Sequence, residues 1–249
     1  MRSSIFRLYR GDKLVRNTSG TLHCHHIKHR IPFRSAFMDS ISNVTVKPLE
    51  RGSKFVIPVR VNYTQDGKGK TWEAVRAGRS VSCVIFNTSR QKLVCVRQFR
   101  PGVFIHGAGG EVWTKDDEAE IDTKLYPPSL GVTLEFCGGI VDKPSKTLEE
   151  ICAEEILEET GYSVCASALT KIGTCYCAVG IAGDPQTLYY VEVTDEMRTA
   201  PGGGIDDEMI EIVEFSVEET RKMLSEDKTI APPEFFWGLT WFLLNKVSA

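Results

Sequence analysis

The chain has 249 residues, 42% of them hydrophobic and 25% charged, with a net charge of −3 at neutral pH. That length can bury a sizeable core, and that mixture belongs to a globular protein and not to a disordered one. No apolar run reaches the roughly 18–20 residues needed to span a bilayer, so no membrane partner is expected.

The charge is unevenly placed. Residues 1–37 hold eight Lys or Arg and one acid, Asp12, a net +7 that leaves −10 for the remainder. An acidic body lacks the basic face of a nucleic-acid binder, so no nucleic-acid partner is expected. The arginine-rich, serine-bearing, acid-poor start has the composition of a mitochondrial transit peptide. Met38 just beyond it would start a shorter, cytoplasmic form. The expectation is a basic extension over residues 1–50 of a cytoplasmic protein, with a mitochondrial location as the alternative. Inside it, "HCHHIKH" packs four of the five histidines, but no second ligand pair follows at zinc-site spacing. The eight cysteines form no C-x-x-C pair and several lie in apolar patterns, which suits reduced, buried thiols.

From about Phe55 the pattern turns β. "FVIPVRVNYTQDGKGKTWEAV" reads as two strands around a turn at Gln65–Gly69, with Asp-Gly as the turn dipeptide. "SVSCVIFN" and "KLVCVRQF" read as a hairpin. Residues 105–131 break every periodicity and read as a long loop, functional or mobile. "VTLEFCGGIV" is a strand running into paired glycines, followed by a helix rich in glutamate. "LTKIGTCYCAVG", "QTLYYVEVT" and "MIEIVEFS" read as strands, "APGGGIDDE" as a loop with a flexible Gly202–Gly204 connector, and "VEETRKMLSED" as a helix. The aromatic "PPEFFWGLTWFLLNK" reads as a last helix packed on the core. Interspersed strands and helices point to an α/β or α+β sandwich with a mixed sheet.

The glutamate helix carries the strongest signal. "LEEICAEEILEETGY", Leu148 to Tyr162, has six glutamates and no basic residue. Thr147 and Glu150 form a capping box at its start, and Gly161 suits a left-handed residue at its end. At ~100° per residue, Leu148, Ile151, Cys152 and Ile156 share one arc. Glu155 and Glu159 fall in the middle of that arc and Glu158 on its edge. A solvated acidic face is the other reading, but it would place glutamates opposite the apolar stripe and basic residues at i+4. None occurs between Thr147 and Thr170. Carboxylates gathered on a half-buried face call for a cation, and all-oxygen ligands suit Mg²⁺ or Mn²⁺.

"GGIVDKPSKTLEEICAEEILEETGY" resembles the Nudix box, G-x5-E-x7-R-E-U-x-E-E-x-G-U, where U is an apolar residue. The second half matches as Glu155-Ile156-Leu157-Glu158-Glu159-Thr160-Gly161-Tyr162. Gly139 takes the first glycine, with one extra residue before the glutamates. The pattern's first glutamate falls at Ser145 and Lys146, and Glu154 stands where the pattern has arginine. Outside the box, "TWEAV", "LVCVRQFRPG", "LEFCGGIVD", "DDEMIEIVEFS", "GDPQTLYYVEVTD" and "PGGG" resemble the ADP-ribose and nucleotide-sugar pyrophosphatases of that family, most of all its UDP-sugar subgroup.

The resemblance implies a Nudix α/β/α sandwich over residues 79–249 and a small antiparallel β-domain over 51–78 that builds a swapped homodimer. It implies Mg²⁺-dependent hydrolysis of a nucleoside diphosphate sugar, foremost UDP-glucose to UMP and glucose 1-phosphate, with ADP-ribose as alternative substrate. A catalytically weak nucleotide-sugar binding protein is the reading that Glu154 and the missing first glutamate would favour. By the same resemblance Glu155, Glu158 and Glu159 are metal ligands with the Gly138 carbonyl. Glu208 matches a loop glutamate that assists the metals or acts as base; a solvated acidic turn is its alternative. Arg100 matches an arginine that contacts phosphate, and Arg97 lies beside it, with a surface role as its alternative. Trp72 matches a tryptophan that stacks on the base, often from the partner subunit; core packing is the alternative for it.

Overall fold

The structure is a computed structural model and describes residues 40–49, 53, 55–109, 118–226 and 229–247. The basic segment through residue 37, its histidine-rich stretch and Met38 lie outside the described residues.

After a short strand β1 (Val44–Val46), β2 (Ile57–Gln65) and β3 (Lys68–Arg76) form a two-stranded antiparallel sheet. Asp66 and Gly67, both at positive φ (51° and 73°), make the tight turn that the Asp-Gly dipeptide anticipates. An isolated hairpin is marginal in water. This one is tied down at its base, where the Val75 N–H donates to the Ile181 carbonyl at 2.8 Å and the Asp184 carboxylate accepts from the Ala77 and Gly78 N–H groups.

The main sheet has seven strands, and its pairing places the site. β4 (Ser80–Asn87) and β5 (Lys92–Phe99) are antiparallel but pair only at Ile85–Asn87 against Lys92–Val94, and then separate. The chain between β5 and the return to the sheet is not bare loop: α1 (Pro101–Gly107) begins on a proline at its first position, and β6 (Ala119–Ile121) pairs with β1. Phe104, Ala108 and Ile121 close a small core of their own there. Pattern reading missed these elements because each is shorter than two full periods of its repeat.

The chain then fills the space between β4 and β5. β7 (Val132–Glu135) pairs with β5, β8 (Cys137–Ile140) pairs with β4, and Phe136 marks the crossing. The run "VTLEFCGGIV" is thus two strands with different partners. α2 (Leu148–Thr160) follows, then β9 (Thr170–Cys177), β10 (Asp184–Val193), β11 (Glu211–Ser216), α3 (Val217–Ser225) and α4 (Pro233–Asn245). β10 runs parallel to β4 while its other neighbour, β9, and the β5–β11 pair are antiparallel, so the sheet is mixed.

Alternation along the central strands divides the core. Val81, Cys83 and Ile85 of β4 pack with Ile151, Cys152 and Ile156 of α2 on one face. Val84, Leu188 and Tyr190 pack with Phe235, Leu239 and Phe242 of α4 on the other, beside Val217 and Met223 of α3. The result is an α/β/α sandwich with a mixed sheet and a separate small antiparallel sheet. The described cysteines are unpaired, and four of them (Cys83, Cys95, Cys137 and Cys152) are buried.

α2 has the ends its sequence predicts. Thr147 Oγ1 accepts from the Glu150 N–H at 3.2 Å, and the Glu150 carboxylate accepts from the Thr147 N–H at 2.7 Å. Gly161 closes the helix at φ 80°. Gly202–Gly204 is not the flexible connector expected from its composition. All three glycines take positive φ, and the Gly203 and Gly204 N–H groups donate to the Glu159 and Glu158 carbonyls at 2.8 and 3.1 Å. They satisfy backbone oxygens that a helix end otherwise leaves unpaired.

Gly161→Ala tests this joint. A Cβ there would meet the Ala200 carbonyl group, its carbon at 2.9 Å, in a backbone conformation that itself costs roughly 1–2 kcal/mol for an L residue. Urea unfolding should show a loss of at least that size; an unchanged midpoint would mean that residues 200–204 shift freely.

Candidate active site

The packing of α2 on β8 forces acid into a half-buried position. The stripe that seats Ile151, Cys152 and Ile156 in the core carries Glu159 with it, leaving the residue only 4% exposed. Its Oε2 accepts from the Gly138 N–H at 3.1 Å. One turn earlier, Glu155 lies flat against Gly139, where a Cβ would overlap its carboxylate. Gly138 has no room for one either, because its backbone is pressed onto β4 beside Val81 and Ser82. The paired glycines therefore let helix and sheet approach closely enough for the carboxylates to stand at the sheet surface.

The electrostatics follow from that placement. Burial first, then the Glu158 and Glu208 charges, push the Glu155 carboxyl up to about 7. Burial pushes Glu159 up to about 8, although the Cys137 thiol and the Gly138 N–H donate to it, and the charges of Glu155 and Glu208 add to the rise. Glu208 stands on the loop after the glycine cap, its Oε2 accepting from the Ile205 N–H at 3.2 Å. A Cβ on Gly204 would come 2.6 Å from the Glu208 Cβ, so the bare glycine permits this position.

These residues line one side of a cleft of about 1110 Å³. Arg100 faces them from just past the end of β5. Its Nε and Nη2 donate to the two oxygens of Glu135 at 2.8 and 2.6 Å, and Glu135 also accepts from Gln98 Nε2 at 3.2 Å and from the Thr133 hydroxyl. The Glu135 contact raises the Arg100 guanidinium above its ordinary value, with the Glu159 and Glu208 charges adding to it.

The remaining predicted site residues lie elsewhere. Arg97 is not at the cleft: strand alternation puts Gln98 there, and Arg97 sits 3.8 Å from Glu211 on the β11 side. Trp72 lies on the hairpin, 45% exposed, with its indole N–H donating to the Gly180 carbonyl at 3.1 Å, and it does not line the cleft. Sequence reasoning missed Glu135, whose signal was present: Thr133 and Glu135 share a strand face two residues apart. It also missed the partners of Glu154. Lys143 Nζ lies 2.9 Å from Glu154, and Lys146 also pairs with it, so the acid at the box's arginine position is clamped by the loop that enters the helix. Helical spacing cannot reveal partners that precede the helix.

As placed, no three acidic, histidine or cysteine side chains among the described residues close around an ion. The chemistry of the site still fits a hard divalent cation. Glu155 and Glu159 are oxygen donors, desolvated and mutually repelling, and among the described residues their neighbours include more acids than bases.

A mixed-sheet sandwich thus brings desolvated carboxylates and an arginine to one large cleft. No protein-family profile matches the chain. It is 34% identical over 197 residues to a uridine diphosphate glucose pyrophosphatase of Bos taurus, covering 76% of this chain and 89% of that one. The counterpart of the same name in Mus musculus is 33% identical over 217 residues, 84% of this chain and 97% of that one. A GDP-mannose pyrophosphatase of Escherichia coli (strain K12) is 27% identical over 192 residues, 74% of this chain and 84% of its own. Among solved structures, an ADP compounds hydrolase shares the fold with a TM-score of 0.55 at 14% identity, over 82% of this chain and 95% of that one. The chain belongs to the Nudix hydrolase family.

Two outcomes follow from the charges. Glu155 and Glu159 hold protons to higher pH in the folded chain than in the unfolded one, where glutamate titrates near 4.5. Their contribution to stability is complete below that value and is lost as pH rises through about 7 and about 8. With divalent ions chelated, the melting temperature should therefore fall between about pH 5 and about pH 9, and Glu159→Gln should flatten that slope. An equally steep slope in the variant would show that Glu159 titrates normally. Glu154→Arg sets a third cation against Lys143 and Lys146 and should lower hydrolase activity severalfold. A tenfold gain would show instead that the box arginine is simply missing.

Proposed function

We propose that this enzyme hydrolyses the pyrophosphate bond of UDP-glucose to UMP and glucose 1-phosphate, with Mg²⁺ held by Glu155, Glu158, Glu159 and the Gly138 carbonyl. The observation that carries this reading is the pair of desolvated, mutually repelling carboxylates, Glu155 and Glu159, opposite Arg100. The substrate is taken from the names of the bovine and murine relatives. A divalent ion bound there neutralises phosphate charge and makes water a better nucleophile.

The chain's own residues do the rest. Arg100, held by Glu135 with Gln98 and Thr133 behind it, keeps its guanidinium oriented toward a phosphate oxygen. Glu208, on a loop shaped by Gly202–Gly204, takes the proton of the attacking water. Glu154 stays engaged with Lys143 and Lys146, which keeps the helix entry in place.

The same reading makes the β2–β3 hairpin a dimer element. Val59 and Val61 of β2 are 44% and 46% exposed, and Trp72 pairs across from Val61, so an apolar stretch of the hairpin is uncovered in the single chain. Trp72 then offers its ring to the base in the partner's cleft.

Phosphate release from UDP-glucose, measured with a coupled phosphatase, should require Mg²⁺ and vanish with EDTA. Glu159→Gln should lower the rate by ~10²-fold, as loss of a preorganised charge-stabilising group does. Undiminished rates at saturating Mg²⁺ would remove Glu159 from the cage. ADP-ribose turned over faster than UDP-glucose would reassign the substrate. A wild-type protein that binds UDP-glucose without releasing phosphate would be a binding protein and not a catalyst.

A further inference from the structure

The cleft of about 1110 Å³ is larger than a pyrophosphate needs, and part of its lining has a different chemistry. Cys177, Gln186, Glu234 and Trp237 line it along with Arg100 and Glu135.

Three cleft-lining side chains meet there. Gln186, buried at the start of β10, donates from Nε2 to Glu234 Oε1 at 3.4 Å, and its Oε1 accepts from the Cys177 thiol at 3.2 Å. Glu234 sits in the first turn of α4, and burial raises its carboxyl above the ordinary value. Trp237, three residues on and so on the same side of the helix, rests on β9 at Gly173, where a Cβ would come 3.0 Å from the indole edge. That glycine allows the ring to lie close against the strand.

The geometry points to a glycosyl subsite formed by Gln186, Glu234 and Trp237, which takes the hexose half of the substrate. This rests on the reading of the protein as a nucleotide-sugar pyrophosphatase. A hexose ring presents several hydroxyls that can each donate to a carboxylate, and a carbon-bound face that an indole can cover. Ionised Glu234 is acceptor-only, so it answers a row of hydroxyl donors. A uracil edge offers Glu234 a single N–H between two carbonyl acceptors, fewer donors than a hexose presents.

The two products separate the halves of the cleft. UMP and glucose 1-phosphate are each tested as inhibitors of UDP-glucose hydrolysis in wild type and in Glu234→Gln, a change that keeps size and shape. The variant should weaken inhibition by glucose 1-phosphate at least tenfold and leave inhibition by UMP within about twofold, the loss expected when a charged hydrogen-bond partner is neutralised. Trp237→Leu should show the same selectivity if its melting temperature stays near that of wild type. If UMP inhibition weakens instead, the pocket holds the base and the assignment is overturned. If neither product is affected in Glu234→Gln, it is overturned as well. A wild type that turns over no UDP-glucose would instead defeat the functional reading itself, before the subsite is reached.

Discussion

Everything at the active end of this protein depends on holding two carboxylates, Glu155 and Glu159, largely out of water, where the charges that act on Glu155 are more often like than opposite. Burying such groups is costly, and the folded chain answers by raising their proton affinity. The arrangement persists because the rest of α2 leaves no choice. Ile151, Cys152 and Ile156 are buried to 1% exposure or less, and they fix the helix rotation that carries the glutamates inward. Apolar packing holds the strain, and the binding of a cation would relieve it.

The backbone around the helix is shaped to the same end. Gly138 and Gly139 are bare because any Cβ would strike β4 or the Glu155 carboxylate. Gly202–Gly204 wraps the far end of the helix with two N–H groups and delivers Glu208 from the other direction. Three short segments, from β8, α2 and the loop before β11, thus meet at one point although 70 residues separate Gly138 from Glu208. Across the cleft, the separation of β4 from β5 opens the place that β7 enters, and β7 brings Glu135 to hold Arg100. One cleft then holds carboxylates, a held guanidinium, and the polar and aromatic side chains of Gln186, Glu234 and Trp237.

The helix was the most legible element, because its information is local. A capping box, a left-handed glycine and an apolar stripe all lie within 15 residues, and the structure shows each of them. The tight Asp-Gly turn and the sandwich class were legible for the same reason. The crossing at Phe136 was not, since both halves of "VTLEFCGGIV" have strand character and only their partners differ. Gly202–Gly204 reads as flexible by composition and is held by long-range hydrogen bonds.

The sequence by itself therefore determined where the acidic helix starts and ends and which of its glutamates face the core, because these depend on period and side-chain type alone. Only the tertiary structure decided that Glu154 is clamped by Lys143 and Lys146, that Gln98 and not Arg97 reaches the cleft, and that Glu135 orients Arg100. Those are statements about which elements become neighbours. Neighbours are chosen by strand pairing and by the packing of whole faces, and no local window of the chain contains that choice.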